Sequence, residues 1–257
     1  MVKTMPVKMT PNEDAAVCFE HVSKSFGEKK VLTDVSFRIA PGEAFCLLGR
    51  SGTGKSVTLR LMIALIQPDH GKILIHGTNI SEARGADLSR IRKSMGFLFQ
   101  DAALFDSLTV FENVAFPLRR HANKSEDEIR TIVKEKLEHV ELEKDENTMP
   151  SQLSGGMRKR AGLARALALD PQILLVDEPS SGLDRITATE IYQLLTRLKK
   201  KWNVTLVVVT HDVAGVHTFA DRFAVLNQGR IVACGTYDEV ENSENSLVRE
   251  LAGGTQT

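Results

Sequence analysis

The chain has 257 residues, 42% of them hydrophobic and 26% charged, with Lys plus Arg and Asp plus Glu balanced at 33 each. At about 150 residues per domain this length makes one to two domains, enough to bury a core without disulfides or metals. The zero net charge argues against a dedicated nucleic-acid binder, whose binding domain carries a basic excess. No apolar run approaches the ~18 residues of a membrane span.

Residues 1–14 read as a polar, Pro-interrupted flexible leader with no segment of signal-peptide length. Ala16–Val22, Val31–Ile39 and Glu43–Leu48 have the β-branched and aromatic content of strands, separated by Phe26-Gly27-Glu28 and Pro41-Gly42. A Gly-rich turn, Gly49–Gly54, leads into an apolar helix that starts at Lys55 and stops before Pro68. Lys72–Ile75 and Met95–Phe99 read as further strands. From Leu108 to Asp170 the pattern turns helical, with a charged helix over Ser125–Leu142 and an Ala/Leu/Arg-rich one over Gly155–Leu169. Strand and helix then alternate: Ile173–Val176, Ile186–Lys201, Val204–Val209, a short helix from Val213, Phe223–Leu226 and Arg230–Val232. Such alternation predicts a mostly parallel sheet covered on both faces, with a helical subdomain inserted. Cys18, Cys46 and Cys234 are scattered and odd in number, which fits reduced cytosolic thiols and no disulfide framework.

Gly49-Arg50-Ser51-Gly52-Thr53-Gly54-Lys55-Ser56 matches G-x-x-x-x-G-K-[ST], in the strand–loop–helix setting that the motif requires. Glycines let consecutive backbone N–H groups turn toward phosphate oxygens, and the following helix terminus adds partial positive charge. Lys55 reaches the β- and γ-phosphates, and the Ser56 hydroxyl suits Mg²⁺. Ile173–Val176 is an apolar strand that ends in Asp177 and Glu178. There the first carboxylate supports Mg²⁺ and the second polarises an attacking water. Leu153-Ser154-Gly155-Gly156-Met157 opens a second helix with phosphate-binding character, Ser154 as its N-cap. One nucleotide has one γ-phosphate, so a second such terminus suggests that two subunits share each nucleotide. By themselves, His211 after its strand and Phe26 before Gly27 are ordinary histidine and aromatic positions. The other histidines have no ligand spacing.

In sum these pieces resemble the ATP-binding-cassette (ABC) ATPases over roughly residues 16–240. Phe26 matches the adenine-stacking aromatic, Gly49–Ser56 (with Val57 next) Walker A, and Gln100 the Q-loop. Leu153–Met157 matches the signature, Ile173–Glu178 Walker B, Ser181–Asp184 the D-loop and His211 the switch histidine. The resemblance implies a P-loop NTPase with a RecA-like, mostly parallel core sheet, an antiparallel β subdomain and a helical subdomain at about 101–170. The nucleotide-binding domain would span 15–245, with 246–257 as a C-terminal tail. It implies Glu178, His211 and Gln100 as catalytic residues, and ATP contacts from Phe26, Gly49, Arg50, Ser51, Gly52, Thr53, Gly54, Lys55, Ser56 and Val57. Ser154, Gly155, Gly156 and Asp184 would act across an ATP-dependent homodimer, and Ser56, Gln100 and Asp177 at Mg²⁺.

More narrowly, Phe97–Phe105, Val110–Leu118 and Met157 in place of the usual signature Gln look like the Mla-type ATPases of bacterial phospholipid transport. That likeness implies ATP hydrolysis at the cytoplasmic face of the inner membrane, powering a permease that maintains outer-membrane lipid asymmetry. The likeness further implies an MCE-domain lipid-binding protein, often joined by a small STAS-domain protein, as partners, and no nucleic acid. The alternatives are an importer of another small solute or a soluble chromosome- or repair-type ATPase. The latter lacks support, because no coiled-coil stretch fits between residues 56 and 153. Five of the 11 Phe residues (Phe97, Phe99, Phe105, Phe111, Phe116) cluster around Gln100. Phe97 and Phe99, alternating along a strand, read as core, and the resemblance implies that Phe105 and Phe111 line the groove for a permease helix.

Overall fold

The computed structural model describes residues 15–253, so the expected leader at 1–14 lies outside the described residues. In chain order the first half forms β1 (Val17–Phe26), β2 (Lys29–Ile39), β3 (Ala44–Leu48), α1 (Lys55–Met62), β4 (His70–Ile75), β5 (Thr78–Asn79), α2 (Gly85–Lys93) and β6 (Met95–Leu98). There follow α3 (Val110–His121), α4 (Glu126–His139), α5 (Gly155–Leu167), β7 (Ile173–Asp177) and α6 (Arg185–Trp202). The chain closes with β8 (Thr205–Thr210), α7 (Val213–Val216), β9 (Arg222–Asn227), β10 (Arg230–Gly235), α8 (Tyr237–Glu241) and α9 (Ser246–Gly253). The described residues form two compact units: 15–91 with 205–253, and 92–204.

In the first unit β2, β1, β4 and β5 form an antiparallel sheet in that order. In its other sheet β3 runs parallel to both β8 and β9, and β10 adds antiparallel to β9. Every residue of β3 and β8 is buried, as expected of parallel strands covered on both faces. Phe19, Phe37 and Phe45 stack in series, with centroids 4.5 and 5.3 Å apart, and join the core of one sheet to that of the other. In the second unit β6 and β7 pair in parallel, and α3, α4, α5 and α6 pack helix on helix. The architecture is the expected α/β class with parallel and antiparallel pairing. Among the described residues no helix is long and apolar enough to cross a membrane.

Two helices end earlier than their apolar patterns, for one reason. After α1, Leu65 N–H bonds to the Arg60 carbonyl and Ala64 N–H to Leu61, closing a Schellman turn with Ala64 at φ 50°. After α4, Leu142 bonds to Leu137 and Glu141 to Glu138, with Glu141 at φ 61°. Neither stop carries the glycine that marks such a turn, so the pattern runs on past both. Conversely α2, which buries only Ile91, has too thin an apolar stripe to read as a helix. The starts of α3, α4, α5 and α6 are marked: Thr109, Ser125, Ser154 and Asp184 each accept a first-turn N–H as N-cap.

Candidate functional site

The Gly-rich loop Gly49–Ser56 spans the step from β3 to α1. Gly52 (φ 78°) and Gly54 (φ 107°) both occupy the left-handed region. A Cβ at Gly54 would also meet Leu32 and Val31 at 3.0 Å. Thr53 closes the loop, its hydroxyl donating to the Arg50 carbonyl at 2.8 Å. The Lys55 side chain is 5% exposed and folds back so that its ammonium donates to the carbonyls of Gly49 (2.8 Å) and Arg50 (3.3 Å). α1 opens without a side-chain cap or an acidic residue in its first turn, where Ser56 and Val57 sit half-buried, so its terminal N–H groups suit an anion. Arg50 pairs with Glu250 of α9 at 2.6 Å.

Register brings His211 to the same edge. β3 and β8 are parallel with Leu48 opposite Thr210, so Gly49 and His211 leave the sheet side by side in the ladder. His211 is exposed, and Asp212 behind it caps α7 through Gly215 N–H at 3.2 Å. Phe26 ends β1, 49% exposed, with the Lys24 ammonium 5.4 Å from its ring centroid.

The second unit repeats this arrangement for the acidic strand. Leu98 of β6 lies opposite Val176 of β7 in a parallel pair, so Gln100 and the Asp177–Glu178 step emerge at one edge. Asp177 and Glu178 are 5% and 8% exposed, and Glu178 takes φ 45°, unusual for a residue with a side chain. Gln100 donates to the Ser181 hydroxyl at 3.2 Å, and Tyr192 to Ser180 at 2.9 Å. Ser154 Oγ accepts the Met157 N–H at 3.2 Å, so the signature serine is the N-cap of α5. Both signature glycines are places of close approach: a Cβ would stand 3.1 Å from Leu183 at Gly155 and 2.6 Å from Thr187 at Gly156. Asp184 caps α6, accepting Ile186 N–H (2.9 Å), Thr187 N–H (3.1 Å) and the Thr187 hydroxyl (2.6 Å). The Thr187 hydroxyl, helped by these amides, holds the Asp184 carboxyl below its ordinary range.

Of the aromatic cluster, the exposed members are Phe105 and Phe116, whose rings meet at 4.8 Å. Phe111, expected at the groove, is 8% exposed, with the Arg130 guanidinium 5.3 Å from its ring centroid. It lies in the first turn of α3 on the inward stripe with Val114, Ala115 and Leu118, so helical period takes it into the core. Phe97 and Phe99 are half-buried and pack on each other at 4.1 Å. The buried Asn113 side chain fastens Phe105, accepting its N–H (2.8 Å) and donating to its carbonyl (3.2 Å).

Two cations of α5 are absent from the expected set. Lys159 reaches the backbones of Gln100 and Glu178, and Arg165 donates to the carbonyls of Ala103 (2.6 Å) and Ala102 (2.8 Å). Lys159 was visible in principle: it shares a helical stripe with Gly156, Leu163 and Leu167, where a lysine does not belong without a partner.

Among known proteins, the family described as ABC transporter matches residues 32–181. A relative from Mycobacterium leprae, named probable ribonucleotide transport ATP-binding protein mkl, is 46% identical over 93% of this chain and 69% of its own length. The chain spans 65% of the counterpart from Mycobacterium tuberculosis. The intermembrane phospholipid transport system ATP-binding protein MlaF of Escherichia coli K12 is 40% identical over 91% of this chain and 87% of its own length. Of solved structures, the ATP-binding cassette MJ0796, a dimer in a post-hydrolysis state bound to ADP and Pi, is similar with a TM-score of 0.78. It is 36% identical and covers 86% of this chain and 98% of its own.

Proposed function

Because the chain belongs to the ABC transporter family as an ATP-hydrolysing, ATP-binding subunit, we propose that it powers a membrane permease that moves phospholipid between membranes. The observation that carries the cargo is the likeness to MlaF, which extends over nearly the whole of both chains. Met157 and the Phe-rich stretch after Gln100 add to it. In this reading the glycine-loop amides and Lys55 hold the phosphates, Phe26 stacks on adenine, and Arg50, Ser51, Thr53 and Val57 complete the cradle. Glu178 orients and polarises the attacking water, and the family pattern gives His211 and Gln100 their roles toward the γ-phosphate. The family pattern assigns the oxygen donors Ser56, Gln100 and Asp177 to Mg²⁺, which would neutralise phosphate charge. Ser154, Gly155, Gly156 and Asp184 serve the nucleotide of a second copy.

The exposed Phe105–Phe116 pair, in which Asn113 holds the Phe105 backbone, is the docking surface we assign to the permease, at the cytoplasmic face of the inner membrane. An MCE-domain protein and a STAS-domain protein complete the complex. The mycobacterial name favours a second reading, ribonucleotide transport, on its higher identity. Isolation of the tagged full chain from its own membranes distinguishes the two. Co-purification of a permease with an MCE-domain protein is the expected outcome, and a permease with a soluble nucleotide-binding partner would overturn the lipid reading.

A further inference from the structure

Lys159 is 4% exposed, yet it is an ammonium on the buried stripe of α5. Desolvating a charge is expensive, so a buried lysine persists only where its donors are used. Here they are used on backbone: Nζ donates to the Gln100 carbonyl and, at 3.1 Å, to the Glu178 carbonyl. Burial pushes the Lys159 pKa down from its ordinary value, and the carboxylates of Asp101, Asp177 and Glu178 oppose that shift.

The two fastened residues stand where the backbone needs holding. Glu178 sits at φ 45°, a left-handed conformation that costs on the order of 1 kcal/mol or more and endures only if its surroundings over-determine it. Just past Gln100, Ala102 and Ala103 lie at φ 58° and 49°, and Arg165 of the same helix holds both their carbonyls. α5 thus clamps the 100–103 segment with two cations and the Glu178 turn with one of them. Gly162 between them lets the helix come close, since a Cβ there would stand 2.8 Å from Leu98. Apolar packing alone needs no charge at position 159.

We propose that Lys159 is a positioning residue for ATP hydrolysis: by tying the Gln100 and Glu178 backbones to the signature helix, it fixes where the Glu178 carboxylate and the Gln100 amide point. The inference rests on the reading of Glu178 as the residue that orients water. It also makes the signature helix, the Q-loop and the Walker B carboxylate move as one body.

The test compares Lys159→Met, Lys159→Arg, Glu178→Gln and the Lys159→Met/Glu178→Gln double variant in the full chain. Steady-state Mg-ATP hydrolysis gives kcat and KM, and calorimetric titration gives the ATP Kd. A mispositioned base costs on the order of 100-fold, so Lys159→Met should lose about that in kcat while KM and Kd stay within about threefold. Lys159→Arg, which keeps the charge and its donors, should recover most of the rate. The double variant should be no slower than Glu178→Gln, because Lys159 acts through the missing carboxylate. Parental kcat in Lys159→Met beside a stalled Glu178→Gln overturns the proposal, as does equal loss of kcat and affinity or a multiplicative double variant. A Glu178→Gln chain active at the parental rate overturns the functional reading instead. If methionine prevents folding, Lys159→Gln against Lys159→Arg decides: a slow Gln at unchanged KM upholds the proposal, and equal rates refute it.

Discussion

Gly156→Ala probes the contact between the signature helix and α6. The new Cβ would stand 2.6 Å from Thr187 Cγ2, well inside the ~3.5–4.0 Å optimum for carbon pairs. Thr187 cannot rotate its methyl aside freely, because its hydroxyl donates to the Asp184 carboxylate at 2.6 Å. Either α5 moves away from α6 or the Asp184–Thr187 bond breaks. Alanine favours the helix by roughly 0.5–1 kcal/mol over glycine, against about 1–3 kcal/mol for overpacking. The expected net effect is a loss of about 1–2 kcal/mol, or a fall of a few degrees in Tm for a chain of this size. In a Thr187→Ser background the clashing methyl is gone and the hydroxyl stays, so the same substitution should be neutral or stabilising. Thermal and urea unfolding of the four chains measure the coupling. Equal destabilisation in both backgrounds, or a neutral Gly156→Ala in the parent, would refute the steric account.

Glu178→Gln should keep ATP affinity, lose turnover and, with Mg-ATP, sediment as a dimer, whereas adding Ser154→Arg should hold it as a monomer. A dimer indifferent to nucleotide and to that substitution would count against sharing of nucleotide between copies. Phe111→Ala should cost about 3–5 kcal/mol as a core truncation, while Phe105→Ala changes stability by less than about 1 kcal/mol. Only Phe105→Ala should weaken permease stimulation of a folded chain, and equal Tm values for the two would contradict their assigned places. Asp184 has its folded pKa held below its ordinary 3.8, chiefly by the Thr187 hydroxyl. Its contribution is therefore complete above that value and lost as pH falls through the lower folded one. Asp184→Asn should flatten the acid limb of stability against pH, and superimposable limbs would exclude the linkage.

Much of the fold was legible because parallel strands buried on both faces carry unbroken apolar runs, such as Ile173–Val176 and Leu206–Val209. Capped helix starts were legible for a similar reason, since Ser125, Ser154 and Asp184 carry their acceptors in the side chain. Helix ends at Ala64 and Glu141 were not, because their left-handed turns use residues that carry no such mark. The loop and strand motifs announce their residues through spacing fixed by phosphate chemistry. Lys159 and Arg165 escaped because they bond to carbonyls, which every residue has, so no spacing in the sequence names their partners. The expected place of Phe111 rested on its position after Gln100 and on the resemblance, neither of which carries helical phase; the stripe of α3 assigns it inward and leaves Phe105 and Phe116 outside.

The most direct test of the central claim is cargo movement. The complex isolated with the full chain is placed in proteoliposomes, and transfer of labelled phospholipid and uptake of labelled ribonucleotide are followed side by side with Mg-ATP. Phospholipid should move with the parental chain and stop with Glu178→Gln, while ribonucleotide stays outside. ATP-dependent ribonucleotide uptake without lipid transfer would contradict the account.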